Sequence, residues 1–145
     1  MPPFTEPQLD PIALQVLKRN VVFPIVYFLP GTSAATATNY GNMFVADRAY
    51  EVVGASEVHR AVGTDMGAVT LNIEKLEPGE APGSGNNLLS TAFNLKSTAD
   101  TPVHGTLISS RRELLLKRGD RLVAVDAGTL TAVADVCVTI YLKEL

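Results

Sequence analysis

The sequence predicts an all-β protein of about 7–9 short strands, which form a sandwich, a jelly roll or a barrel, with an extended N-terminal arm. Three observations predict it. Apolar and polar residues alternate with period two, turns rich in Pro and Gly separate the apolar segments, and no stretch carries a long helical period. The 145 residues, 46% hydrophobic and 19% charged, have the composition of one ordered domain.

Residues 1–20 are predicted to form the arm, and residues 21–145 the single β-sandwich body. Prolines at positions 2, 3, 7 and 11 hinder regular pairing in the arm, because proline fixes φ and lacks a backbone N–H. The spacing of residues 12–17 fits a helical turn and a strand equally well. The apolar side chains of the arm are candidate anchors on a partner: Phe4, Leu9, Ile12, Leu14, Val16 and Leu17.

Residues 21–29 are predicted to be the first strand of the body, because they are rich in β-branched and aromatic side chains. Both faces of this strand are apolar, so both need cover. Pro24 cannot donate to a ladder, which predicts a position at a sheet edge or a bulge. An apolar edge strand needs a partner chain, and the candidate oligomer interface is Phe23, Ile25, Tyr27 and Phe28.

A signal peptide is the alternative interpretation of this run. Lys18 and Arg19 precede it, and residues 35–37 (ATA) follow it in the style of a cleavage site. Two acidic residues upstream and Pro24 within the run favour the strand. The run is also far shorter than the roughly 20 residues of a transmembrane helix.

The remaining chain is predicted to alternate between strands and turns. Val69, Leu71 and Ile73 share one face, and residues 136–142 alternate in the same way, with Val136, Val138, Ile140 and Leu142 on one side. Residues 30–42 are predicted to be a loop, and residues 87–95 fit a short helix as well as a strand. Further strands are expected at residues 43–47, 50–59, 103–109, 113–116 and 121–126.

No motif for catalysis or for cofactor binding is present, so the sequence predicts neither an enzyme nor a bound cofactor or metal. His59 and His104 are predicted to be surface or rim residues rather than metal ligands. Cys137 lies within a strand with no base beside it, which is typical of a packed cysteine. Asp47-Arg48 and Asp120-Arg121 are interpreted as turn chemistry.

The charge pattern argues against nucleic acid and anionic membranes as partners, since the net charge is −3 and the isoelectric point about 5.3. Basic residues nevertheless cluster near position 115 without interleaved aromatics, which disfavours a stacking platform for bases. A solvated loop is one interpretation, and a contact for an acidic protein is the other. The candidate charged contact patch is Arg111, Arg112, Lys117 and Arg118.

Four segments of the body resemble a group of small structural proteins of tailed-phage heads, the capsid decoration (cement) and head-fibre-like proteins. The resemblance covers about residues 40–145 and rests on structural rather than catalytic motifs. It is carried by residues 44–59 (FVADRAYEVVGASEVH), 65–76 (DMGAVTLNIEKL), 88–98 (LLSTAFNLKST) and 119–130 (GDRLVAVDAGTL), which leads to VCVTIYLKEL.

The resemblance implies a jelly-roll-like homotrimer on the outer surface of the virion, bound to the major capsid protein and clamping neighbouring subunits of the expanded head. An extended arm with apolar anchors suits that task, since it can add to a strand or fill a groove. Two alternatives stay open. One is a fibre or receptor-binding head with a ligand at residues 60–65 or 77–87; the other is a non-viral β-sandwich enzyme or binding module.

Overall fold

The computed structural model describes residues 21–29 and 40–145, and the predictions for residues 1–20 and 30–39 lie outside these ranges. The described elements are β1 (Val22–Leu29), β2 (Tyr40–Val45), β3 (Tyr50–Val58), β4 (Thr70–Leu76), β5 (Asn86–Asn87), β6 (Phe93–Asn94), β7 (Val103–His104), α1 (Arg111–Leu114), β8 (Leu115–Leu116), β9 (Arg121–Ala127) and β10 (Val136–Glu144).

Two antiparallel sheets form the predicted all-β, jelly-roll-like sandwich. Sheet A has the order β1-β10-β3-β7, and β8 also pairs with β3. Sheet B has the order β2-β9-β4-β5, and β6 also pairs with β4. Among the described strands, β1 pairs with β10 alone, so it forms one edge of sheet A. Pro24 therefore lies in an edge strand, as predicted, where a missing N–H is tolerated.

The core fills the space between the sheets, and it confirms the period-two patterns. Val136, Val138, Ile140 and Leu142 of β10 are all fully buried. They meet Leu71 and Ile73 of β4, as expected when the apolar faces of two sheets pack against each other. The alternation therefore places Cys137, Thr139, Tyr141 and Lys143 on the outer side of sheet A.

Three predicted element bounds are wrong. Residues 113–116 are not one strand, because a single turn of α1 covers Arg111–Leu114 before β8 begins. Arg, Glu and Leu are good helix formers, and the amides of Glu113 and Leu114 bond back to Ser110 O. Only Val103–His104 of residues 103–109 is strand. At Gly105 the chain passes so close to Leu89 and Phe93 that a Cβ would lie 2.8 and 2.9 Å from their side-chain atoms.

The loop predicted over residues 30–42 includes the first three residues of β2, which starts at Tyr40. Residues 87–95 form no helix. Instead they accompany β4 in short pieces, with the Leu88 amide on Ile73 O and the Leu95 amide on Val69 O. A helix at the surface would bury only one of its sides. This segment instead buries four of its apolar side chains, Leu88, Leu89, Phe93 and Leu95.

The loop after β4 folds back over the outer face of sheet B. The Gly83 amide donates a hydrogen bond to Glu74 Oε2 at 2.8 Å, and Arg121 holds Glu80 O. A Cβ on Gly85 would lie 2.3 Å from Lys75 O, so the loop needs glycine at this approach. Under this cover Leu76 and Val123 are fully buried. We call residues 77–85 the covering loop.

Candidate interaction surface

The outer side of sheet A is a largely apolar surface that no described segment covers, and we call it the outer face. It consists of the outward side chains of β1, β10 and β3 in four rows across the strands: Val22–Lys143–Glu51, Pro24–Tyr141–Gly54, Val26–Thr139–Ser56 and Phe28–Cys137–Val58. Val26 is 57% exposed and Phe28 is 55% exposed. Large apolar side chains with this exposure on one face indicate an interaction site.

A β-bulge shapes the middle of the outer face. The register of β10 and β3 shifts between Tyr141 and Leu142, which leaves Val53 as the extra residue of β3. The ring of Tyr141 then lies across Gly54, where a Cβ would be 3.3 Å from Tyr141 Cδ2. Tyr141 and Val53 both remain exposed. The bulge therefore adds apolar surface beside β1 rather than polar surface.

The candidate oligomer residues of β1 divide between its two sides. Phe23, Ile25 and Tyr27 turn inward and pack, half-buried, against the core, whereas Phe28 faces outward. The ring of Tyr27 lies across Gly41 of β2, where a Cβ would be 2.1 Å from Tyr27 Oη. The structure thus covers one apolar side of β1 and leaves bare the side that carries Val22, Val26 and Phe28. Whether this strand contacts another copy stays a prediction.

The residues of the candidate charged patch lie on α1, which carries Arg111 and Arg112, and in the turn after β8, which carries Lys117 and Arg118. Arg111 Nε lies 3.4 Å from Glu51 Oε1. Within residues 21–29 and 40–145, Arg112, Lys117 and Arg118 are exposed and make no ion pair. These three cations are available to an acidic partner, although no observation shows one bound.

A cavity of about 170 Å³ opens beside this patch, between Lys75 and Glu113. The Lys75 ammonium lies 3.6 Å from Glu113 Oε2 and donates a 3.1 Å hydrogen bond to Leu115 O. Glu113 Oε2 also accepts a 2.8 Å hydrogen bond from Asn86. Lys75 and Glu113 are already paired and link sheet B to α1 and β8 across the cavity, whereas Arg112 and Lys117 line its wall without an ion pair among the described residues.

His59 is not the surface or rim residue that the sequence predicts, because it is fully buried. Its Nδ1 lies 2.8 Å from Glu57 Oε1 and its Nε2 lies 3.2 Å from Ser97 O. Asp100 donates its amide to His59 O, so residues 97–100 close over the ring. Burial raises the pKa of Glu57, and the hydrogen bond from His59 opposes that rise. Without solvent access the pair cannot serve a substrate.

Asp126 is a second buried carboxyl group, on the inner side of β9. No hydrogen-bond partner for its Oδ2 lies among the described residues. Burial raises the pKa of Asp126 to about 6. The pKa of Tyr27 is raised too, by its own burial and then by the Asp126 charge. A carboxylate held in this way costs stability at neutral pH.

The turn residues behave as predicted. Asp120 Oδ2 accepts the Lys117 amide at 2.8 Å, and Arg48 pairs with Asp47 and Glu144. The hydrogen bond from Tyr50 is the main reason that the pKa of Asp47 is lowered, and Arg48 adds to it.

His104 is exposed, and Cys137 is half-buried on the outer face. In the described part of the chain, no three His, Cys, Asp or Glu side chains are grouped so as to hold a metal ion.

The candidate arm anchors lie outside the described residues: Phe4, Leu9, Ile12, Leu14, Val16 and Leu17. The point where the arm joins the body is nevertheless defined by β1. Val22 pairs with Lys143 of β10, Lys143 pairs with Glu51 of β3, and Glu51 contacts Arg111. The chain therefore enters sheet A at the end of the sandwich where Arg111 lies.

Two solved structures share this fold. A chain in the capsid of Ralstonia phage GP4 superposes with a TM-score of 0.64 at 15% identity, over 88% of this chain and 86% of that chain. A chain in the capsid asymmetric unit of cyanophage Pam1 gives a TM-score of 0.59 at 14% identity, over 86% and 85% of the two chains. The predicted likeness to structural proteins of phage heads is thus confirmed at the level of the fold.

No protein-family model matches the sequence. No curated protein matches it either. Among the described residues, no helix has the length and apolar character needed to cross a membrane.

Proposed function

We propose that this chain is a structural protein of a phage virion, without enzymatic activity, that decorates the outside of the head. In this role it binds the major capsid protein as a homotrimer and holds neighbouring subunits together after the head has expanded. The observation that carries the proposal is the shared fold with chains of two phage capsids over more than four-fifths of both partners.

The placement of the candidate contacts supports the same role. The chain enters sheet A at the end of the sandwich where Arg111 contacts Glu51, so we expect an arm of residues 1–20 to reach the shell from the same side as the basic patch. The arm supplies apolar anchors and the patch supplies charge for acidic capsid residues. Three arms on one trimer strengthen binding through effective concentration, although each arm alone binds weakly.

Co-sedimentation with phage shells tests the proposal. The shells are expanded heads and unexpanded procapsids of the encoding phage, assembled without this protein. The full chain is compared with Leu9→Asp/Leu14→Asp, which places charge on two candidate anchors, and with Gln8→Asp/Gln15→Asp, which adds the same charge at neighbouring polar positions.

We expect saturable binding to expanded heads only, weakened about tenfold or more by the leucine substitutions and little by the glutamine substitutions. Equal binding by the two variants would remove the arm from the proposal and leave decoration standing. Absence of binding to either shell would contradict decoration itself, and the loops at residues 60–65 and 77–87 would then be tested for a receptor.

A further inference from the structure

The outer face of sheet A has the composition of the centre of a permanent protein interface. Three of its four rows, from Pro24–Tyr141–Gly54 to Phe28–Cys137–Val58, contain no charged side chain. Charge enters only in the first row, where Lys143 lies opposite Glu51. Interface cores are depleted in charged residues, and those between permanent partners resemble a protein core cut in half.

The free edge of β1 adjoins the outer face. We call the outer face and this free edge together the corner. The eight residues of β1 pair with β10 on one side, and no described strand pairs with them on the other. Pro24 removes one backbone donor from the strand, which restricts continuous pairing along the edge. A partner at this corner therefore gains most from the side chains of Val22, Val26 and Phe28.

The size of the corner shows how much a partner must cover. Three strands about 4.8 Å apart and four rows give the outer face a flat area of about 300 Å². A stable interface needs about 800 Å² per partner, so the contact has to include the free edge as well.

A second copy is the occupant that these properties favour. The face carries no net charge, so it offers little to a charged foreign surface, whereas Lys143 of one copy can pair with Glu51 of the next copy in a closed ring. An apolar edge strand is also an aggregation hazard from the moment the chain folds. Other copies of the chain are present when it folds, whereas an assembled shell need not be present.

We infer that the outer face of sheet A, with the free edge of β1, is the surface through which copies of this chain associate. The inference rests on the proposed homotrimer and names its contact. Of the four candidate residues of β1 it keeps Phe28 and adds the outward Val22 and Val26, with Tyr141 on β10 and Val53 on β3. Phe23, Ile25 and Tyr27 support this surface from the core side.

The test uses the full chain without shells and a matched pair of variants. Val26→Asp puts a charge at the centre of the face, and Val45→Asp puts the same charge on β2 of sheet B, where the valine is 61% exposed. Sedimentation velocity across a concentration series gives the size of the assembly. Circular dichroism shows that each variant keeps its β-structure.

Cys137 provides a second measurement, because it is the single cysteine of the chain and lies on the face beside Phe28. We expect wild type and Val45→Asp to form oligomers in which maleimide modifies Cys137 slowly. We expect Val26→Asp to be folded, to dissociate at a concentration about a hundredfold or more higher than wild type, and to be modified rapidly.

An unchanged oligomer in Val26→Asp would overturn the inference. So would a monomeric wild type whose Cys137 reacts rapidly. If the wild type is monomeric and Cys137 becomes protected only after expanded heads are added, the face is a capsid contact, which overturns the inference and leaves decoration standing. Oligomers that use this face but do not bind shells would give the opposite result, with the inference upheld and decoration contradicted.

Discussion

The outer faces of both sheets carry apolar side chains, but these receive different cover. On sheet B, Leu76 and Val123 are fully buried beneath the covering loop, which Glu74 holds through Gly83. On sheet A, no described segment crosses the outer face, and Val26 and Phe28 stay more than half exposed. The comparison shows that apolar side chains on the outer side of a strand indicate that something must cover them. Whether a loop of the same chain does so depends on where the connecting loops run.

Alanine substitutions on the two faces would break the comparison most directly. We expect Leu76→Ala to lower the free energy of unfolding by about 2–5 kcal/mol, since it leaves a cavity under the covering loop. Phe28→Ala should cost no more than about 0.5 kcal/mol in dilute protein, because the side chain is exposed there. Urea denaturation followed by circular dichroism measures both values.

Protein concentration supplies the control for this pair. The cost of Phe28→Ala should grow as the wild type assembles, because association stabilises the folded chain by mass action, whereas the cost of Leu76→Ala should change little. Equal costs for the two substitutions in dilute protein would show that the outer face of sheet A is covered within the chain.

The inner side of sheet B carries a buried carboxyl group, that of Asp126, which the outer face of sheet A lacks. The folded pKa of Asp126, about 6, lies above its ordinary value, so the folded state binds its proton more tightly than the unfolded state. The stability of the wild type should therefore rise as the pH falls from about 7 towards 5, and the penalty is full above the folded pKa. Asp126→Asn should stabilise the protein by roughly 1–3 kcal/mol at pH 8.

Urea denaturation of the wild type and of Asp126→Asn at pH values of about 5, 6, 7 and 8 separates the contribution of Asp126 to the free energy of unfolding from that of other groups. The difference between variant and wild type should shrink towards low pH. A difference that stays constant over this range would mean that Asp126 does not titrate in it.

Loosening the covering loop is the mildest change. Glu74→Gln keeps the shape of the side chain but replaces a charged acceptor of the Gly83 amide by a neutral one, so a loss of about 1 kcal/mol is expected. Proteolysis within residues 77–85 should become faster while cleavage elsewhere does not. Glu77→Gln, an exposed position in the same loop, is the control, and an identical effect from it would remove the special role of Glu74.

The regular strands were predictable from the sequence because their signal is local. Residues 136–142 alternate strictly, and β10 buries the expected side. Proline at position 24 indicated an edge in the same way. The segments at residues 87–95 and 113–116 were not predictable, since a single turn of helix and short pieces of strand are selected by tertiary packing rather than by period.

The candidate surface was predictable only in part. Two apolar sides on residues 21–29 indicated a missing partner, but the sequence did not show which side the core takes, because that depends on the register of β1 with β10. His59 was placed at the rim because nothing local shows that residues 97–100 fold over it. The signal that existed was Glu57, two residues earlier on the same side of a strand.

The position of β10 dictates the order in which the sandwich is made. It is the last described strand, yet it lies between β1 and β3 in the middle of sheet A. Sheet B joins β2, β9 and β4 and can form without it. During synthesis β1 emerges early but has no strand to pair with until β10 follows, more than a hundred residues later. Such distant pairing is slow, so we expect sheet A to close last and β1 to be the final strand to be fixed.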